Sequence, residues 1–362
     1  MALRTTRGDA GGAVKGRGAP SNLEGRYEAL TREAADDGWA REEAAAPPLK
    51  TVVTPECAKS IISRNNSPDV GFDQSINPYR GCEHGCVYCF ARPTHAYLGL
   101  SPGLDFETRI FAKVNAAELL RKELAAPRYR CSPIAIGVNT DAYQPAEREL
   151  RITRSVIEVL TECEHPFTLI TKNALIERDI DLLAPAAAKR LTGAAVSITN
   201  WDPELARKLE PRAAAPHRRL ETVRRLAAAG IPVSVMVAPV IPFVTDRHIE
   251  EILERAREAG ASGAWYVLLR LPHEVAPLFK EWLATHYPLK AEHVMSLVHQ
   301  MREGKDYDST FGVRQRGTGS FADLLEKRFE LACERLGLNG QREPLDTTRF
   351  RAPRLGPQMD LF

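Results

Sequence analysis

The chain has 362 residues, with 49 Lys plus Arg against 47 Asp plus Glu, a formal charge of +2. That length suits one large α/β barrel domain or two ordinary domains. The near balance of charge removes any case for nucleic-acid binding by total charge, although it would hide a local basic patch. No stretch approaches the roughly 20 apolar residues of a spanning helix. The longest apolar run, 233–244, is broken by Ser234, Pro239 and Pro242 and reads as a buried strand with its exit. The first residues lack the apolar core of a secretory signal. The seven cysteines form no disulfide framework, so a reducing, cytoplasmic setting without membrane contact is expected.

In chain order, residues 1–50 read as a disordered tail, with Gly-Gly, Gly-Arg-Gly, a short Ala-rich acidic stretch and Pro47-Pro48. A linker is expected over 51–67, a core domain over 68–304 and a helical and loop extension over 305–362. Within the core, strand signals fall at 72–76, 134–138, 167–170, 194–198, 232–238 and 265–271. From the second onward, their starts are 33, 27, 38 and 33 residues apart, the length of one strand–helix unit. Between them run helical stripes. Ile249, Ile252, Leu253 and Ala256 form one that Gly260 stops; Leu220, Val223, Leu226 and Ala227 form another before Gly230. Asn115 with Glu118 reads as a capping pair. The expected fold is α/β, a partial (β/α)6 barrel, open rather than closed, with ligands beyond the carboxyl ends of the strands. Three further helices are expected near 274–285, 291–302 and 321–336. The Gly-rich loop 309–320 carries Arg314 and Arg316 and no acid.

The chemistry is concentrated after the first strand. Cys82, Cys86 and Cys89 are spaced C-x3-C-x2-C. Three neighbouring thiolates hold three irons of a [4Fe–4S] cube and leave the fourth open to a cofactor or substrate. A closed zinc site would need a fourth ligand; His84 and His95 are the near candidates, and His84 sits within the loop where its ring would strain to reach. The spacing, with Tyr88 before the third cysteine, resembles the cluster loop of the radical S-adenosylmethionine superfamily. That resemblance implies reductive cleavage of S-adenosylmethionine (SAM) to a 5′-deoxyadenosyl radical.

Groups suited to the cofactor recur at the strand ends. Asn139, Thr140 and Asp141 follow the second strand, with Asp141 placed for the methionine ammonium. Thr171, Lys172 and Asn173 follow the third, with Lys172 placed for the methionine carboxylate. Ser197, Thr199 and Asn200 end the next, with hydroxyls for ribose or the methionine head, and Ala238 and Pro239 suit adenine. Each alone also reads as a turn or cap residue. Arg270, at the end of the last strand, is placed toward the substrate. Tyr79 and Arg80 shape the loop, and His84 shields the cluster. His95 and Tyr97 line the pocket or belong to core and surface. Cys57, Cys131, Cys163 and Cys333 read as plain small residues, with Cys131 at the end away from the site.

The run Ile76-Asn-Pro-Tyr-Arg-Gly-Cys-Glu-His-Gly-Cys-Val-Tyr-Cys-Phe-Ala-Arg-Pro-Thr-His-Ala-Tyr97 resembles radical SAM proteins related to spore photoproduct lyase. So does Asn139-Thr-Asp-Ala-Tyr-Gln-Pro-Ala-Glu-Arg-Glu149, followed by Arg151-Ile-Thr-Arg154. A bacterial subgroup of that family also carries the Asp37-Gly38-Trp39 segment and the 100–106 stretch. The resemblance extends over about residues 60–304. It implies a [4Fe–4S] cluster on the three cysteines and SAM bound near Tyr88, Thr140, Asp141, Lys172, Ser197 and Thr199. It also implies an electron donor such as a flavodoxin or ferredoxin. In the lyase, the residue aligned with Val138 is a cysteine that returns hydrogen to the product radical, and a tyrosine of the same relay stands at Phe90. The cofactor half of the site is therefore retained and the lyase relay is not. The leading expectation is a radical SAM enzyme acting on an unidentified substrate. Lyase-type DNA lesion repair, with the 309–320 loop on the duplex, is a second reading. A non-catalytic Fe–S or zinc scaffold or RNA-binding module is a third.

Overall fold

The computed structural model describes residues 14–28, 49–340 and 343–354. Ten strands occur among them: β1 (Val52–Glu56), β2 (Ile62–Arg64), β3 (Gln74–Ile76), β4 (Tyr79–Arg80), β5 (Arg109–Lys113), β6 (Ile134–Ile136), β7 (Phe167–Thr171), β8 (Thr192–Ser197), β9 (Val233–Val240) and β10 (Gly263–Leu268). The main sheet runs β10-β9-β8-β7-β6-β3-β2. From β3 to β10 its six strands are parallel and neighbours in sequence order, and β2 is added antiparallel at one edge. This is the expected open α/β sheet of six strand–helix units. A small second sheet, ordered β1-β5-β4, lies at the start of the cysteine loop.

The strands form where β-branched and small apolar residues leave no polar face to solvate. Val233, Val235, Val237 and Val240 of β9 are all buried, as are Ala194 and Val196 of β8. Parallel strands covered on both faces require this composition. The helix Ile249–Glu258 buries Ile249, Ile252, Leu253 and Ala256 completely, the stripe read from sequence, each large apolar side chain contributing about 1.5–3 kcal/mol. Gly260 follows with φ +99°, past the helix end. The helices Val275–His286, Ala291–Gln300 and Ser320–Leu336 follow β10. The last packs on Ile249–Glu258 through the ion pairs Arg328–Glu250 and Arg335–Glu254, and Phe329 meets the Tyr266 ring of β10 at 4.8 Å. Among the described residues no helix is long and apolar enough to cross a membrane.

Three local expectations change. The 51–67 segment, read as a linker, contains β1 and β2. Asn115 precedes the helix Ala116–Leu124, but its side chain does not cap it; the amide instead exchanges two hydrogen bonds with the Ala58 backbone. Residues 14–28, read as part of a disordered tail, are packed against the cysteine loop. Arg17 and Ala19 are buried there, and Ser21 and Arg26 reach Glu281 and Glu274 within and beside the helix that follows β10. The remainder of the tail, including Asp37-Gly38-Trp39, lies outside the described residues.

Candidate functional site

The cysteine loop leaves β4 and crosses the carboxyl end of the sheet. Its backbone is fastened on every side. The Cys82 amide donates to the Phe106 carbonyl at 2.9 Å and the Val87 amide to that of Leu209 at 3.1 Å. The Gln144 side chain accepts from the Glu83 amide at 2.9 Å and donates to the Gly81 carbonyl at 3.2 Å. Arg92, wholly buried, donates to the carbonyls of Gly85, Cys86, Pro102 and Gly103. Its charge is met by Glu107 at 2.5 Å, also wholly buried. Glu107 accepts in addition from the amides of Gly18 (3.0 Å) and Ala19 (2.8 Å), so one carboxylate binds the loop's arginine and the N-terminal strap together.

The three thiols are held within this frame. None is in a disulfide; Cys82 and Cys86 are buried and Cys89 is half-buried. Burial pushes all three thiols up, with Asp141 adding to it at Cys82 and Glu210 at Cys86, while Lys172 opposes it at Cys86 and Cys89. Buried thiols of this kind become thiolates when a cation joins them. Three free thiols on one loop suit three irons of a cluster, whereas a tetrahedral zinc would need a fourth ligand, and the near histidines are engaged elsewhere, His84 with Asp141 and Asn173 and His95 with the Arg109 carbonyl.

The strand-end residues divide into two groups. Asp141 is committed to the protein: it accepts from the Tyr143 amide (2.9 Å), the Thr171 hydroxyl (2.7 Å) and the Lys172 amide (2.7 Å). It also lies 3.3 Å from Nδ1 of His84 in the cysteine loop. Burial would raise its carboxyl; the His84 ring, the Thr171 hydroxyl and the Lys172 amide over-compensate and hold it at about 2. His84 is fixed from its other side by the Asn173 amide, 3.1 Å from Nε2. Thr140 gives its hydroxyl to the Tyr79 carbonyl at 2.9 Å. Asp141 and Thr140 thus tie β6 and β7 to the loop, and the Asp141 carboxylate is already engaged where an ammonium was expected.

A second knot, unread from sequence, involves Glu210 and Arg219, an ion pair with both side chains 1% exposed. Glu210 accepts from the Tyr88 hydroxyl and, at 2.6 Å, from that of Thr199. Burial would raise Glu210; the charges of Arg219 and Lys172 win and hold it at about 2. Arg219 also donates to the Ser197 carbonyl at 2.9 Å. Tyr88, Thr199 and Ser197 therefore meet, but Tyr88 and Thr199 spend their hydroxyls on Glu210. Lys172 is different. Its Nζ stands 6.0 Å from the Tyr88 ring centre, in the field of Cys86, Cys89 and Glu210, and only its backbone is hydrogen-bonded among the described residues.

Other expectations sort similarly. His95 is a core residue, packed on Phe106 at 5.1 Å with Nε2 on the Arg109 carbonyl, and Tyr97 is exposed against Tyr27. Phe90 is exposed and Val138 half-buried. The loop arginines offered for a duplex are both paired, Arg314 with Asp69 and Arg316 with Glu326. Nothing in the local spacing marks Glu107, Glu210, Arg219 or Gln144, since their partners lie 9 to 122 residues away.

Residues 76–256 match the family model described as the radical SAM superfamily. An uncharacterized protein of Mycobacterium tuberculosis (strain ATCC 25618 / H37Rv) is 39% identical over 234 residues, covering 64% of this chain and 69% of that protein. One from Methanocaldococcus jannaschii is 25% identical over 231 residues, covering 64% and 82% respectively. Among solved structures, spore photoproduct lyase complexed with dinucleoside spore photoproduct superposes with a TM-score of 0.58 at 16% identity, covering 85% of this chain and 88% of that one. At that identity the likeness is one of fold.

Proposed function

Because the chain belongs to the radical SAM superfamily, we propose that it holds one [4Fe–4S] cluster on Cys82, Cys86 and Cys89 and cleaves SAM reductively to a 5′-deoxyadenosyl radical. The observation that supports this most is the collection of three disulfide-free thiols on one clamped loop beside an ammonium, Lys172, that has no protein anion in contact among the described residues. When bound, the cluster supplies one electron to the sulfonium and an open iron for the methionine head. The protein's own residues do the rest. Lys172 receives the methionine carboxylate as a point charge. Ser197 lies at the end of the neighbouring strand β8 for the ribose or methionine head. Asp141 orients the loop through His84, and Glu210 keeps Tyr88 against Thr199. The buried frame of Arg92, Glu107 and Gln144 keeps water from the thiols. The electron comes from an external reductant such as a flavodoxin or ferredoxin, and the setting is cytoplasmic.

The test is anaerobic reconstitution followed by dithionite and SAM. About four irons and four sulfides per chain and formation of 5′-deoxyadenosine are expected. Stoichiometric zinc, no 5′-deoxyadenosine from wild type, or undiminished product from Cys86→Ala would overturn the reading. Lyase-type DNA repair is disfavoured by Val138 and Phe90 in the places of the lyase relay and by the pairing of Arg314 and Arg316.

A further inference from the structure

A guanidinium without a carboxylate stands at the rim of the cysteine loop. Arg270 follows β10 at the carboxyl end of the sheet. Its Cζ lies 4.9 Å from the centre of the Phe90 ring and 5.9 Å from that of Tyr307. Nη2 donates to the Tyr307 hydroxyl at 3.2 Å. Nε is shut off from water and has no hydrogen-bond partner. Phe90 directly follows Cys89, so the stack is anchored on the loop itself, and 42% of Phe90 remains exposed.

The acidic groups that act on Arg270 and Arg302 do so from beyond ion-pair distance: Arg270 helps to lower the Asp69 carboxyl, and Asp308 acts on Arg302. Arg302, itself buried, reaches only the carbonyls of Leu269 and Val313. Asp69 is taken by Arg314, and Asp308 lies 3.6 Å from Lys305. Among the described residues no carboxylate pairs with Arg270 or Arg302. The other arginines of this part of the chain, Arg314, Arg316 and Arg328, all have acidic partners. A planar fork held against two rings is already oriented, so little side-chain freedom is lost when an oxyanion arrives.

We infer that the substrate carries an oxyanionic group, phosphate or carboxylate, that seats on Arg270 between Phe90 and Tyr307. This deepens the proposed function and rests on it for placing the substrate at this rim. Because Phe90 directly follows Cys89, an anion held there sets the rest of the substrate beside the cysteine loop. Substrates lacking an anionic group are disfavoured, because the Arg270 guanidinium would keep its buried Nε without a partner and no carboxylate in contact.

The test uses the full-length, cluster-loaded protein saturated with SAM, so that the cofactor site is filled. Inorganic phosphate and, separately, acetate are titrated at constant ionic strength, and the thermal midpoint is read. Saturable stabilisation of wild type is expected, with affinity about tenfold weaker or worse in Arg270→Gln, as loss of a charge-assisted hydrogen-bonding partner implies. Phe90→Leu, altering an exposed ring, should weaken the anion by about two- to fivefold through loss of the cation–π contact. Saturation by phosphate alone assigns a phosphorylated substrate, by acetate alone a carboxylated one, and by both a general oxyanion seat. No saturable effect in wild type, or equal affinity in wild type and both variants, overturns the inference. Should Arg270→Gln fail to fold, Phe90→Leu decides, an unchanged affinity being the overturning result. 5′-Deoxyadenosine from wild type, measured on the same preparation, separates the two claims: its absence removes the enzyme reading, and its presence without anion binding removes the anion seat alone.

Discussion

Gly18 lies so close to Gly85 that a Cβ on Gly18 would stand 1.7 Å from the Gly85 carbonyl oxygen. Gly85 is the turn between Cys82 and Cys86, with φ +67°, so the N-terminal strap is seated directly on the loop that carries the thiols. The Gly18 amide, with that of Ala19, is held by Glu107. Gly18→Ala must lift the strap or bend the turn. The expected result is faster bleaching of the cluster absorbance in air and lower retained iron, with only a small change in the thermal midpoint. Bleaching at the wild-type rate would show that the strap does not guard the loop.

Arg92 and Glu107 are each wholly buried, and each is the other's counter-charge. Removing one strands the other in a low-dielectric site. Glu107→Gln is expected to lower unfolding free energy by about 3–5 kcal/mol, read from urea titration of the cluster-free protein. A loss below about 1 kcal/mol, the level of an exposed pair, would contradict the burial described.

Lys172 and Asp141 should fail differently. Lys172→Met is expected to weaken SAM binding about tenfold or more, as loss of a charged partner implies, with iron content unchanged. Asp141→Asn is expected to lower retained iron, because His84 and the loop lose their anchor. Calorimetry with SAM and iron assay separate the two. Equal SAM affinity in Lys172→Met, or full iron in Asp141→Asn, would remove the role assigned to that residue.

His165 offers a pH test away from the site. It is fully buried, with Nδ1 on the Pro166 carbonyl and Nε2 2.7 Å from the Tyr129 hydroxyl. Burial pushes its imidazole down to about 4 from 6.5. A base depressed in the folded state takes up its proton more readily when unfolded. The stability it contributes is therefore complete above about pH 6.5 and is lost as pH falls toward 4. Up to about 3 kcal/mol is at stake across that window. Urea unfolding at pH 7 and pH 4.5 should show a larger acid loss in wild type than in His165→Gln; parallel losses would refute the assignment.

Much of the frame is legible along the chain. Val233, Val235 and Val237 announce a covered strand, Ile249 to Ala256 announce a helix face, and Cys82, Cys86 and Cys89 announce a loop of three free thiols, because each signal is local. Lys172 follows β7, as its strand-end position predicts, with its Nζ 6.0 Å from the Tyr88 ring centre. The same rule points to Asp141, Thr140 and Thr199, yet their hydrogen bonds and ion contacts go to His84, Tyr79 and Glu210. Strand-end position shows where a side chain starts and not which neighbour claims it. Arg17-Gly18-Ala19 is illegible for the opposite reason: a Gly-rich polar segment has no core-forming pattern, and its order comes from Glu107, 88 to 90 residues away.

By itself, the sequence determined the parallel sheet and the three thiols, since spacing and hydrophobic period act over a few residues. Only the tertiary structure decided which charges are spent. Glu107 and Glu210 are consumed by buried arginines, while among the described residues Lys172 and Arg270 lack a carboxylate in contact, because partner choice for a buried charge depends on what folding brings within about 4 Å of it.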